Sequence, residues 1–253
     1  MTKTCLLLLL IGLICNYAKA QLSAPVGYGL PTGNFSQYLS RAHVRTADND
    51  ASGKPSPINA FNNEPNTKGS RFLFNTWVKG DSMTDATGGK VEAVAMLFNV
   101  DKMTGNLLVT QNKIDVMSVA PVGIKSFVLS DLSQSYRFRH VKAIDSMRFY
   151  LALVDNSNKY SLYKQYKTGF KAANYFSSGI IESGHNYDEY TEESIYFIVM
   201  PGGISSKPIS LKPKTIKEVL KDEKNKVDQY FDQHKADEKD EAFLSGLIAF
   251  LNE

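Results

Sequence analysis

The stretch SGHNYDEYTEE, residues 183–193, brings together side chains that could do chemistry. His185 with Asp188 and Glu189 offers one imidazole nitrogen and two carboxylates, a set that can bind a divalent metal or act in acid–base hydrolysis. Tyr187 adds a ring and a hydroxyl group. His185, Tyr187, Asp188 and Glu189 are therefore the candidate ligand-binding residues.

The same stretch also has a simpler interpretation, as the polar lead into a strand formed by SIYFIVM. Neighbouring side chains of an extended chain point to opposite sides, so only one of the two acids could join His185. We favour this second interpretation, in which the tyrosines pack on the domain and the acids stay in water.

A second candidate site is DNDASG, residues 48–53. Asp48, Asp50 and Ser52 have the spacing of the first oxygen ligands of a calcium loop. The second half of that pattern is missing, because the twelfth position is Asn59 and two prolines precede it. Such compositions are also common in plain turns. Calcium is the only cofactor that the sequence suggests.

Motifs of the common enzyme classes are missing from the sequence. There is no G-x-S-x-G, H-E-x-x-H or P-loop pattern. We assign no catalytic residue, and a protein without enzymatic activity is the favoured hypothesis.

Aromatic residues are dense between Tyr136 and Phe197, which contain 14 of the 27 Tyr and Phe residues. They are expected to fill a β core. Tyrosines on an exposed face could instead stack on sugar rings, with Lys159, Lys164 and Lys167 nearby for anionic groups.

Short apolar and aromatic segments separated by turn residues dominate residues 71–212. The pattern predicts a mainly β (α+β) fold with eight to ten strands, arranged as an antiparallel β-sandwich or a curled half-barrel, because no helical crossovers lie between the segments. VEAVAMLFNV, residues 91–100, is apolar on both faces and predicts one central strand. Residues 21–70 are polar and predict an irregular segment.

Residues 213–253 change to a helical period and predict an αα-hairpin. Thr215 and Glu218 have capping-box spacing at its start. The apolar stripes of the two helices need a partner surface, which is either the β domain or another molecule.

The first 20 residues have the features of a secretory signal peptide, with Lys3 before an apolar stretch and cleavage expected after Ala20. Cys5 and Cys15 both lie within it, so the rest of the chain has no cysteine. Such a chain fits the periplasm or outer surface of a Gram-negative bacterium.

Loss of Lys3 and Lys19 lowers the net charge from +3 to near +1, which gives no reason to expect nucleic acid as a partner. No later segment predicts a transmembrane helix.

Three stretches carry a resemblance to a known group of proteins: NTWVKGDSMTDATGGKVEAVAMLFNVDKMTGNLLV, LYKQYKTGFKAANYFSSGIIESGHNYDEYTEESIYFIV and SLKPKTIKEVLKD. With its Trp-x-x-Gly strand and lysine-rich helical tail, the chain resembles uncharacterised exported proteins of Gram-negative gut and soil bacteria. The resemblance implies an exported β-rich body with a helical tail, and it implies no activity.

These observations predict an exported β-rich protein that binds an envelope protein, a glycan or another envelope component. The alternatives are an envelope hydrolase that uses residues 185–189, and a calcium-stabilised glycan-binding module.

Overall fold

The computed structural model describes residues 66–113, 116–119 and 121–253, together with the backbone of a strand at Leu39–His43. The strands in chain order are β1 (Leu39–His43), β2 (Thr67–Lys68), β3 (Gly80–Asp85), β4 (Leu97–Asp101), β5 (Asn106–Thr110), β6 (Met117–Val119), β7 (Ile124–Ser130), β8 (Ser135–His140), β9 (Phe149–Val154), β10 (Ser161–Lys171), β11 (Phe176–Ser177), β12 (Glu182–Ser183) and β13 (Asp188–Val199). The helices are α1 (Pro213–Val219), α2 (Lys224–Gln233) and α3 (Glu241–Leu251), and short 3-10 turns lie at 121–123 and 221–223.

The strands form two main sheets and one small ribbon. One sheet has the order β1-β6-β5-β4, the larger one has the order β2-β13-β10-β9-β8-β7-β3, and β11 pairs with β12. Neighbouring strands are antiparallel except for β2 and β13, which are parallel. The predicted mainly β fold with a helical C-terminal part is confirmed, and the seven-stranded sheet is open.

Both large hydrophobic clusters use the same face of the seven-stranded sheet. The first cluster packs β7, β8 and β9 against the four-stranded sheet, with Phe98, Leu107 and Leu129 fully buried. The second packs β10 and β13 against the C-terminal helices, which therefore dock on the β domain of their own chain. Leu153 contacts both clusters.

The segment before β3 pairs with β4 only at isolated positions, Phe72 with Asp101 and Val78 with Phe98, where the resemblance implied a strand. Side chains of β4 bind its backbone and side chains between and beside these positions. The Asn99 amide accepts from the Phe74 N–H at 3.2 Å and donates to the Phe74 carbonyl at 2.9 Å. Arg71 binds the fully buried Asp101 carboxylate through two nitrogens, at 3.1 and 2.7 Å. These contacts hold residues 71–74 against the four-stranded sheet, and backbone bonds between Val78 and Phe98 hold the Trp-x-x-Gly segment.

The expectation of one strand over residues 91–100 is wrong for its first half. The Val91 N–H donates to Met83 of β3, and the strand β4 starts only at Leu97. Between them the chain turns from one sheet to the other, with Ala95 at a φ of 60° and Val94 78% exposed. Apolar periodicity could not show this turn, because the turn residues are themselves apolar.

The helical tail contains three helices instead of two. The helix α1 begins at Pro213, and its N-cap Lys212 makes no side-chain cap, so the predicted capping box at Thr215 is wrong. Proline is favoured in the first turn because its missing N–H has no partner there. The helix α3 does have a cap, since the Asp240 carboxylate accepts from the Phe243 N–H at 2.9 Å.

Candidate functional site

The most distinctive element of the structure is a two-stranded arm, which we define as residues 169–190. Its two sides continue β10 and β13 beyond the sheet, with Phe170 opposite Tyr190 and Lys171 opposite Glu189. Every residue from 169 to 186 is exposed. An extended chain rises ~3.3 Å per residue, so the arm reaches up to about 30 Å beyond Thr168.

Backbone hydrogen bonds hold the arm in one register. The Asn174 N–H donates to the His185 carbonyl, and the His185 N–H donates to the Asn174 side chain, both at 2.9 Å. Gly184 has a φ of 82°, and a Cβ there would lie 2.7 Å from the Asn174 Oδ1 atom. This position therefore requires glycine.

The end of the arm presents a cluster of large apolar side chains to solvent. We call this cluster the tip; its members are Tyr175, Phe176, Ile180 and Ile181, with exposed fractions of 49%, 61%, 96% and 66%. The turn is closed by a hydrogen bond of 3.0 Å from the Ser178 N–H to the Ile181 carbonyl. Several large apolar side chains exposed on one short stretch of chain are typical of contact surfaces.

The four candidate residues of the sequence lie at the base of the arm. The Asp188 carboxylate accepts from the Ala173 N–H at 2.7 Å, so it closes the ribbon. The His185 and Tyr187 rings lie 4.9 Å apart, and the Lys68 ammonium lies 3.7 Å above the Tyr187 ring. Glu189 lies opposite Lys171 in the ribbon.

This arrangement gives the base of the arm a structural role. The strand β13 begins at Asp188, so residues 188–193 belong to the strand itself and are not a polar lead before SIYFIVM. Tyr187 and Tyr190 contact His185 and Phe170 on the arm and do not pack on the core. Within the described ranges, no three His, Cys, Asp or Glu side chains are grouped so that they could hold a metal. The calcium candidates Asp48, Asp50 and Ser52 lie outside the described residues.

The lysines predicted to flank a sugar-binding face are engaged elsewhere. Lys164 pairs with Glu241 of α3 at 2.7 Å, Lys167 pairs with Glu193 at 3.1 Å, and Lys159 donates to the Asn252 carbonyl. Nearby Tyr166 packs against the first core cluster, and burial raises the pKa of its hydroxyl. Tyr150, Tyr163 and Tyr196 are buried, in line with the simpler expectation, whereas Tyr175 and Phe176 of the same region are exposed on the tip.

A second surface feature is a cleft at the opposite edge of the seven-stranded sheet, between β3 and residues 90–94. Its volume is about 340 Å³. The buried side chains of Met83, Phe98 and Leu129 line its floor. The exposed residues of its lining include Asp81, Lys90, Glu92 and Val94. The cleft is concave and of mixed polarity, whereas the tip is apolar.

Comparison with models of known protein families gave no match, and comparisons with curated proteins and with solved structures gave none either. Among the described residues, no helix has both the length and the apolar composition needed to cross a bilayer.

Sequence reasoning missed the arm and the cleft. The evidence for the arm was present in NYFSSGIIESG, where large apolar residues flank a Ser-Ser-Gly turn. Apolar residues beside a turn normally indicate core strands, and nothing in the local pattern distinguishes a strand that is covered from one that extends past its sheet.

Proposed function

We propose that this chain is an exported binding protein without enzymatic activity, and that the tip of the arm is its contact with a partner in the cell envelope. The single observation that carries the proposal is the tip itself: four large apolar side chains, held at the end of a hydrogen-bonded ribbon, contribute nothing to the core. Export remains the prediction made from the first 20 residues.

The composition of the arm favours a protein partner. Aromatic and aliphatic side chains form the tip, and polar residues lie directly beside them, namely Ser177, Ser178, Glu182 and Ser183. An apolar centre with a polar rim is the usual anatomy of a protein–protein contact.

The arm is also suited to binding because it is formed before a partner arrives. Its hydrogen bonds between Asn174 and His185 and within the tip turn hold the backbone of the arm in one conformation. A preformed contact element loses less conformational entropy on binding than a disordered loop does.

Binding of labelled protein to envelope fragments of its own host tests the proposal. The variant Ile180→Ser with Ile181→Ser should bind at least tenfold more weakly, because burying each isoleucine is worth roughly 1.5–3 kcal/mol. Its melting temperature should not change, since both side chains are exposed.

The matched control is Val122→Ser with Ile204→Ser, two residues that are 66% and 67% exposed on other turns. This variant should bind like the unmodified protein. Equal binding by the tip variant and the unmodified protein would show that the arm is not the contact element. Binding that persists on vesicles of pure lipid would identify the bilayer as the partner. Turnover of glycans, peptides or esters that His185→Ala abolishes would establish the hydrolase alternative.

A further inference from the structure

We infer that the partner encloses the tip in a slot, with an apolar wall against one face of the hairpin and a wall that carries a cationic group against the other. The inference rests on the proposed role of the tip as a contact element, and it specifies the partner that the tip fits. It is drawn from the register of the hairpin, from the side chains that this register places on each face, and from a carboxylate beside the tip.

The hairpin at the end of the arm keeps one register from Asn174 to His185. Three pairs of residues, two positions apart, lie opposite each other across it: Asn174 with His185, Phe176 with Ser183, and Ser178 with Ile181. Side chains alternate between the two faces along each strand, so these three pairs share one face. In that register the intervening pairs, which lie on the second face, are Tyr175 with Gly184 and Ser177 with Glu182.

The first face of the hairpin is apolar. Phe176 and Ile181 are diagonal neighbours on it, and such neighbours on a β ladder lie ~7–8 Å apart, within reach of large side chains. Both side chains are mostly exposed, and the exposed Ile180 lies in the turn beside them. The other side chains of this face near the turn are the small hydroxyl groups of Ser178 and Ser183. This face therefore fits an apolar wall of the partner.

The second face of the hairpin combines a ring with a charge. Gly184 lies opposite Tyr175 and has no side chain, so no cross-strand side chain covers the half-exposed Tyr175 ring. The Glu182 side chain on the same face is exposed, and it makes no ion pair with any described residue. A partner that covers this face must accept the ring and compensate the carboxylate with a lysine or an arginine.

Both faces carry an exposed aromatic ring, which points to contact on two sides. A flat partner surface would cover either Phe176 or Tyr175 and leave the other ring in water. Aromatic side chains dominate the energetics of contact surfaces, so a contact that uses the tip fully must cover both rings. Because β layers pack about 10 Å apart, walls on both faces of the hairpin would lie about 20 Å apart, measured between their backbones.

The position of Glu182 favours a protein slot over a lipid bilayer as the surroundings of the tip. Glu182 directly follows Ile181, so insertion of the tip into lipid would bring the carboxylate to the hydrocarbon boundary. A charge is costly there, and anionic headgroups repel a carboxylate. A cationic group at the mouth of a protein slot instead forms a charge-assisted hydrogen bond with it.

Labelling of single cysteines tests for contact on both faces, because the chain from Gln21 onward has no cysteine. Ser183→Cys reports on the first face and Ser177→Cys on the second, and both replacements are nearly isosteric. With roughly nine-tenths of the protein bound to envelope fragments of its host, a maleimide dye should label both positions about tenfold more slowly than in the free protein. Ser157→Cys, in the exposed turn between β9 and β10, is the control and should keep its rate.

The pattern of protection separates the inference from the proposed function. Protection of both positions supports the slot. Protection of only one position would show a one-sided contact, which overturns the inference and keeps the proposed function, whereas protection of neither would overturn both. Vesicles of phosphatidylethanolamine and phosphatidylglycerol that protect both positions would identify a bilayer, which also overturns the inference.

Neutralisation of the carboxylate provides a second measurement. Glu182→Gln should bind envelope fragments roughly tenfold more weakly, because a cation of the slot loses its partner. Glu238→Gln removes an exposed carboxylate from the turn between α2 and α3, and it should bind like the unmodified protein. Equal or tighter binding by Glu182→Gln would refute a cationic wall, and tighter binding is the result that insertion into lipid predicts.

Discussion

Replacement of one glycine in α3 should destabilise the protein only while a particular hydroxyl group is present. Gly246 lies in the middle of α3, and a Cβ added there would overlap the hydroxyl oxygen of Tyr230 in α2. The Tyr230 ring cannot easily withdraw, because it stacks on His234 with 4.0 Å between ring centroids and packs edge-on against Phe243. We therefore expect Gly246→Ala to act through Tyr230.

The magnitude follows from two opposing effects. Alanine in place of glycine stabilises a helix interior by about 1 kcal/mol, whereas overpacking of a filled site costs about 1–3 kcal/mol. Gly246→Ala alone should thus be neutral or destabilising by up to about 2 kcal/mol. In a Tyr230→Phe background the nearest remaining atom is the ring Cζ at 3.4 Å, an ordinary contact, so the alanine should be stabilising.

Urea unfolding of the unmodified protein, the two single variants and the double variant provides the measurement. The coupling free energy between the two sites should be about 1–3 kcal/mol, and the sign of the alanine effect should reverse between backgrounds. An alanine effect that is the same in both backgrounds would refute the reasoning, since the hydroxyl would then not be the obstacle.

Three further predictions concern stability, pH and the arm. Asp101→Asn should cost about 3 kcal/mol, because it leaves the Arg71 guanidinium without its buried carboxylate, and an unchanged urea midpoint would contradict this. Burial, and next a hydrogen bond to the Glu241 carboxylate, raises the pKa of Tyr196 from 10.0 to about 12. Its contribution to the free energy of unfolding is therefore fully present below pH 10 and is lost as the pH rises through 12. Tyr196→Phe should make the fall in stability over that range smaller. Gly184→Ala should speed amide exchange in the arm without lowering the melting temperature. Gly179→Ala, where a Cβ meets nothing within 4 Å, should do so less.

The β-rich body could be predicted because its strands are buried on at least one face. IKSFVLS and FYLALV carry enough apolar residues to indicate β7 and β9 directly. The turn after β3 follows the same local chemistry: Asp85, the last residue of β3, accepts hydrogen bonds from the backbone N–H groups of Thr87 and Gly89, both at 2.8 Å. Aspartate and glycine favour such turns in any sequence.

The rest depended on contacts between distant parts of the chain. The segment around Phe74 resembles a strand in sequence, but it meets β4 only at isolated bridges, and between them the Asn99 side chain, 25 residues later, binds the Phe74 backbone. The cleft beside β3 exists because residues 90–94 turn away between two sheets, and no local pattern encodes that separation. The helix α1 ends at Leu220, where φ and ψ are −99° and 27°. The apolar pattern of the tail continues across this residue, so it predicts one helix where the structure has two.

The shared face of the seven-stranded sheet sets a limit on how this protein can be divided. Removal of the chain after Lys212 would expose Leu162, Tyr196 and Ile198 to water, because the helices cover that half of the sheet. A shortened protein of this kind should precipitate instead of yielding a smaller folded unit. The tail is thus a structural part of the body, and laboratory fusions are better attached beyond Glu253 than spliced in ahead of α1.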